Sequence, residues 1–239
     1  MFGNLMRQIA GKPKETAPAV TVAGSGTPGN IMVSTARGEL PFLDFYDANY
    51  APLLAHRAQG FRVILETLER RCLAGGPPAL IVETGSMRFR GNWAGDGQST
   101  VLWNSFALNY DCEVHTVDLA PEAAVLVRED CGPSVHAHTG DSVAFLHQRA
   151  IVPNPQKIDL LYLDSFDFDP ADPFPSAFHH IKELIAVRPC LGKGSIVAID
   201  DNLLLPDGSY TGKGYLAMQW FDHLGIKCLH QGYQYIWQM

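Results

Sequence analysis

The chain has 239 residues, 46% apolar and 18% charged, enough to bury the core of one α/β domain or at most two small ones. Its net charge of −7 excludes a nonspecific nucleic-acid binder that works by neutralising phosphates. Five scattered cysteines without a CxxC pair argue against a disulfide framework or zinc site, and for a reducing, cytoplasmic setting. No stretch approaches the ~18 apolar residues of a membrane span, and the first residues lack the apolar run of a signal peptide.

In chain order, Phe2, Leu5, Met6 and Ile9 fall at helical spacing and predict a short amphipathic helix. Residues 11–38 are rich in Gly, Pro, Ser, Thr and Ala, so 1–40 reads as a flexible N-terminal arm and 41–239 as a single domain. Apolar 1–40 would mediate a homodimer. Gly24-Ser25-Gly26-Thr27-Pro28-Gly29 fits GxGxxG, but no helical period follows it and Pro28 removes an N–H that should face phosphate. It reads as a decoy.

A helix is predicted over 46–71 from the stripe Phe61, Ile64, Leu65 and Leu68. Leu80-Ile81-Val82-Glu83-Thr84-Gly85-Ser86 reads as a buried strand running into a glycine turn, with a helix over 99–110 opening at Ser99-Thr100. Strands over 113–117, 135–138, 158–163 and 195–199 alternate with helices over 121–130, 142–149, 175–187 and 212–224; 226–237 reads as two strands broken near Gly232. Alternation of this kind makes a mainly parallel sheet covered on both faces, and the last pair suggests an antiparallel edge.

Ligands of such sheets sit outside the C-terminal ends of the strands. The five strands end near Glu83 and Gly85, at Asp118, at Gly140-Asp141-Ser142, at Asp164, and at Asp200-Asp201-Asn202. A carboxylate thus falls on the same rim five times. Asp118 suits ribose hydroxyls and Asp141 with Ser142 an adenine edge; helix capping competes for both acids. Asp164, Asp201 and Asn202 are hard oxygen donors suited to Mg²⁺, against a reading as caps and solvated acids. His180, in the helix after the fourth strand, is a candidate base or supporting group, as are Asp167 and Asp169. Arg88, Arg90 and Trp93 fall in the long insertion between Gly85 and Gly95 and form either a lid or a solvated excursion.

These residues resemble class I S-adenosylmethionine-dependent methyltransferases. Val82-Glu83-Thr84-Gly85 through Gly95-Asp96-Gly97-Gln98-Ser99-Thr100 resembles the family's first motif, split by the insertion. His115-Thr116-Val117-Asp118 resembles the second, and Gly140-Asp141-Ser142 the adenine-side motif. Asp164 with Ile199-Asp200-Asp201-Asn202 resembles the metal site of the catechol and macrolide-sugar O-methyltransferase branches. The resemblance implies a Rossmann-like, doubly wound α/β fold: a seven-stranded, mostly parallel sheet with an antiparallel C-terminal strand and helices on both faces. It implies S-adenosylmethionine held by Glu83, Gly85, Ser99, Asp118, Asp141 and Ser142, and Mg²⁺ held by Asp164, Asp201 and Asn202, with Asp200 as a substitute for Asp201. The chain departs from the catechol branch after Asp164, where Ser165-Phe166-Asp167-Phe168 stands in place of a lysine.

The activity expected is metal-assisted methyl transfer to a hydroxyl of a small molecule: a sugar, polyol or natural product. Asp164 and His180 are the catalytic candidates. The competing readings are a nicotinamide-dependent oxidoreductase and a noncatalytic interaction protein of the same fold. No nucleic acid and no membrane is expected as partner.

Overall fold

The computed structural model describes residues 41–239. The predicted helix and arm of 1–40, and the decoy motif, lie outside them. Helices α1 (Phe42–Asn49) and α2 (Ala58–Leu73) precede β1 (Leu80–Thr84). Then follow α3 (Ser99–Tyr110), β2 (Glu113–Asp118), α4 (Pro121–Asp130), β3 (Val135–Thr139), α5 (Ser142–Ala150), β4 (Leu160–Leu163) and α6 (Phe174–Val187). The chain closes with β5 (Ile196–Ile199), β6 (Asn202–Leu204), β7 (Tyr210–Gly212), α7 (Tyr215–His223), β8 (Cys228–Gln231) and β9 (Tyr235–Gln238).

The main sheet has seven strands in the order β3-β2-β1-β4-β5-β9-β8. Pairs β3-β2, β2-β1, β1-β4 and β4-β5 are parallel; β9 runs antiparallel to both β5 and β8. This is the doubly wound α/β sheet expected, with one refinement. The antiparallel strand lies inside the sheet, and β8 forms the edge. Strand order reverses between β1 and β4, the place where such sheets open a crevice.

Period-two alternation divides the core into two layers. Ile81, Val114, Leu160, Tyr162, Ile196 and Ala198 face α1–α4, while Leu80, Val82, Leu161, Leu163, Val197 and Ile199 face α5–α7. Phe61, Trp103 and Tyr162 meet pairwise with ring centroids 5.3–5.5 Å apart in the first layer. Truncating one such ring to alanine costs about 3–5 kcal/mol. No helix among the described residues is long and apolar enough to cross a membrane.

Two segments differ from expectation. The helix predicted over 46–71 is broken by two 3-10 turns, Ala51–Leu53 and Ala55–Arg57. Pro52 supplies no N–H and Ala55 takes a left-handed φ of 49°, so the α-helical ladder cannot run through. The break turns Arg57 inward, where it is 4% exposed. The second difference is the β6–β7 hairpin ahead of α7, which starts at Tyr215 rather than 212. Its turn is Pro206-Asp207-Gly208, with Gly208 at φ 82° and its N–H donated to the Leu205 carbonyl.

Candidate active site

One cavity opens at the C-terminal ends of β1, β2, β3 and β4. Gly85, Ser99, Asp118, Asp141, Ser142 and Asp164 line it, so the rim brings together the residues expected from four strands. Ser86, Arg88, Phe166, Asp167 and His179 complete its wall. Gly85 sits at φ 83°, and a Cβ there would come within 2.5 Å of the Asp164 carbonyl oxygen. Only glycine lets β1 and β4 leave the sheet this close together.

The acids on the β2–β3 side are held by nearby backbone. Asp118 accepts Ala120 N–H at 2.8 Å and Ser86 N–H at 3.0 Å. Asp141 caps α5 by accepting Ala144 N–H at 2.8 Å, so capping and a place on the cavity wall coexist in one residue. The Ser142 hydroxyl pairs with His179 Nε2 at 3.0 Å.

Glu83 does not reach the cavity. It shares the strand parity of Ile81 and points into the α3 layer, fully buried. There it accepts Thr100 Oγ1–H at 2.6 Å, Thr116 Oγ1–H at 2.7 Å and Trp103 Nε1–H at 3.0 Å. It ties β1, β2 and α3 together. Burial raises its pKa, against the pull of these hydrogen bonds.

His180 is likewise off the cavity. The buried face of α6 is Ser176, Ala177, His180, Glu183, Leu184 and Val187, while Phe178 and Ile185 are exposed. His180 Nδ1 donates to the Ser176 carbonyl at 2.7 Å, and burial drops the imidazole to about 4. Its neighbour His179 takes the place on the cavity wall, 3.4 Å from Glu183. Burial opposes ionisation of Glu183, yet hydrogen bonds and the adjacent histidines hold it down at about 2. Of the insertion, Arg88 bridges the cavity mouth to Asp167 at 3.1 Å, Arg90 pairs with Asp130 at 2.8 Å, and Trp93 packs on Tyr50.

The β4–β5 side is an ion network. One oxygen from each of Asp164, Asp200 and Asp201 lies within 4.8 Å of the others. Two cations that sequence reasoning missed answer them. Arg57 gives Nε–H to Asp200 at 2.8 Å and Nη2–H to Asp201 at 3.2 Å. Lys213 Nζ lies 2.6 Å from Asp164 Oδ1 and 2.8 Å from Asp201 Oδ2. Tyr233 donates to Asp201 at 2.6 Å.

Three carboxylates thus face two cations, and the surplus charge shows in their protonation. Burial opposes the charge of Asp201, but Lys213, Tyr233 and Arg57 bring its pKa below the usual value. Burial raises Asp200. Asp164 is lifted to about 8 by burial, opposed by Lys213 and reinforced by Asp200 and Asp201. Lys213 stays protonated: despite burial, Asp164 and Asp201 raise it.

Asn202, expected as a metal ligand, is turned away. Its Oδ1 accepts Gly214 N–H at 2.7 Å and its Nδ2 donates to the Ile199 carbonyl at 2.8 Å. With this amide committed to backbone and an ammonium between Asp164 and Asp201, the residues present do not fit a divalent cation. Three non-glycine residues around the site, Gln98, Phe166 and Asp201, hold φ of 47–54°. For bulky Phe166 such a conformation costs about 1–3 kcal/mol and is kept only where the surroundings enforce it.

No family model and no curated protein matches the chain. Among solved structures it is similar to the calicheamicin methyltransferase CalS11 at 17% identity, covering 84% of this chain and 87% of that one, TM-score 0.48. An O-methyltransferase from Bacillus cereus in complex with SAH aligns at 16% identity over 82% and 88% of the two chains, TM-score 0.47. MycE methyltransferase from the mycinamycin pathway, in complex with Mg, SAH and mycinamycin VI, aligns at 15% identity over 78% of this chain, TM-score 0.49. The chain spans only about half of MycE, 54%. The fold stated here rests on strand order and direction, not on these likenesses.

Proposed function

We propose that this protein is an S-adenosylmethionine-dependent O-methyltransferase acting on a hydroxyl of a small molecule. One observation carries the reading: Gly85, Asp118, Asp141 with Ser142, and Asp164 end four adjacent strands and line a single cavity at the point where strand order reverses. Gly85 leaves a cradle that any side chain would fill. Asp118 and Asp141 each spend one or two bonds on nearby backbone and keep acceptor capacity for ribose hydroxyls and an adenine amine.

When bound, S-adenosylmethionine would supply an electrophilic methyl group to the acceptor oxygen, with the carbon–sulfur bonding pair remaining on its sulfur. Asp164 takes the hydroxyl proton. One of its oxygens holds Lys213, and the other has no hydrogen-bond partner among the described residues, on a side chain that lines the cavity. A carboxyl poised at about 8 suits a base working near neutrality. Arg88 and Asp167 pair across the mouth at 3.1 Å. Phe166, on the cavity wall and half exposed, offers an apolar face to an acceptor with a ring or hydrocarbon surface.

The test is calorimetric titration with S-adenosylhomocysteine and, separately, NAD. Binding of the first and not the second is expected, weakened with Asp118→Ala. Binding of NAD alone defeats the proposal and favours an oxidoreductase. A noncatalytic protein would bind S-adenosylhomocysteine yet show no turnover in an acceptor screen, with Asp164→Ala indistinguishable from wild type.

A further inference from the structure

The geometry points to Lys213 as the resident cation of the Asp164–Asp200–Asp201 cluster, occupying with its ammonium the place where a divalent ion would otherwise lie. The lysine's position rests on the coordinates alone. Its consequence for the reaction, a metal-independent acceptor site, rests on the function proposed above.

Three features carry the inference. First, the ammonium has three N–H donors and meets three oxygens: Asp164 Oδ1 at 2.6 Å, Asp201 Oδ2 at 2.8 Å and the Asp164 carbonyl at 3.2 Å. Second, the lysine is fixed. Its side chain is 1% exposed, its own N–H goes to the Asp201 carbonyl, and Gly214 N–H goes to Asn202 Oδ1. A Cβ at Gly212 would fall 2.4 Å from the Asp201 carbonyl, and one at Gly214 would fall 2.7 Å from Asn202 Oδ1. The two glycines let the Lys213 backbone press against the β5 end, so the ammonium is delivered by the fold rather than by a free side chain. Third, Arg57 already pairs with Asp200 and Asp201, so a divalent ion added to the cluster would face two fixed cations with one surplus carboxylate to hold it.

Lys213 is absent from the cavity wall and touches it only through Asp164. It is a positioning residue, holding one Asp164 oxygen so that the other faces the acceptor.

The test is Mn²⁺ binding followed by electron paramagnetic resonance, on wild type, Lys213→Ala and Asp164→Asn, with S-adenosylhomocysteine titrated in parallel. Wild type is expected to bind no stoichiometric Mn²⁺ up to on the order of 1 mM, the weak end of oxygen-ligand sites. Lys213→Ala, freed of its ammonium, is expected to bind one Mn²⁺ at least tenfold more tightly than wild type. Stoichiometric Mn²⁺ on wild type that disappears in Asp164→Asn overturns the inference. So does a folded Lys213→Ala that gains no ion. If Lys213→Ala does not fold, Lys213→Ser takes its place, and the wild-type titration decides in either case. Failure of S-adenosylhomocysteine to bind wild type would refute the methyltransferase reading while leaving the Mn²⁺ result intact.

Discussion

The two halves of the rim satisfy their carboxylates in opposite ways. On the β2–β3 side, Asp118 and Asp141 are held by backbone N–H groups two and three residues ahead in the chain, with Ser86 N–H from the end of β1 as a second donor to Asp118. On the β4–β5 side, Asp164 is held by a lysine 49 residues on and Asp200 by an arginine 143 residues back. Backbone donors fix an acid without neutralising it, leaving it open to a neutral polyol such as ribose. Side-chain cations fix it and supply the counter-charge, which suits a site where a proton must leave a hydroxyl. Under the proposed function the first half binds the cofactor, and the second, with three carboxylates against two cations, takes up the proton.

The contrast breaks most visibly at Arg57. Arg57→Met strands Asp200, which is fully buried, and is expected to cost about 3–5 kcal/mol, roughly 10 °C in melting temperature. Adding Asp200→Leu should recover most of it in urea unfolding. A single-mutant loss below about 1 kcal/mol would mean the network is not holding the rim.

Acid comes next. His180 titrates at about 4 in the fold against 6.5 when unfolded, so the unfolded chain binds the extra proton between those values. Its contribution is therefore full above pH 6.5 and falls as the pH drops toward 4, by roughly 3 kcal/mol, while Asp164, lifted to about 8 in the fold, opposes the fall. His115, also lowered to about 4 by burial and by Arg149, adds to the slope. Urea midpoints at pH 7, 5.5 and 4.5 read it, and His180→Gln should flatten it; an unchanged slope refutes the assignment to His180.

Asp118→Ala sharpens the other half. Loss of one charged acceptor should weaken S-adenosylhomocysteine by about 10- to 100-fold, since a hydrogen bond to a charged group contributes roughly 1.5–3 kcal/mol. Unchanged affinity would remove Asp118 from the cofactor site. The smallest effect is at Asp141: Asp141→Ala should lose about 1 kcal/mol of cap, whereas Asp141→Asn keeps it. Equal melting temperatures for the two variants would show the cap contributes nothing.

The same contrast explains what the sequence disclosed. Strand–helix alternation and the carboxylates at the strand ends were readable because each depends on neighbours within a few residues. Glu83 was misplaced although strand parity contains the answer: it falls in phase with Ile81 and so faces α3. His180 was the candidate rather than His179, and the helix phase decides between them: the buried stripe of α6 runs through Ser176, Ala177, His180, Glu183, Leu184 and Val187 and leaves His179 at the cavity wall. Arg57 and Lys213 carry no local pattern, because ion pairs across 143 and 49 residues exist only once the chain has folded. Gly212-Lys213-Gly214 offered the one hint: paired glycines mark a close backbone approach, and here they flank the lysine that is pressed in.

The break between α1 and α2 has a consequence for anyone recombining this scaffold. The helical layer ahead of β1 supplies a guanidinium to the far end of β5, so it is part of the carboxylate cluster rather than an interchangeable cover. A chimera that imports another protein's opening helices must bring an arginine to the same spot, or give up Asp200 in the same stroke.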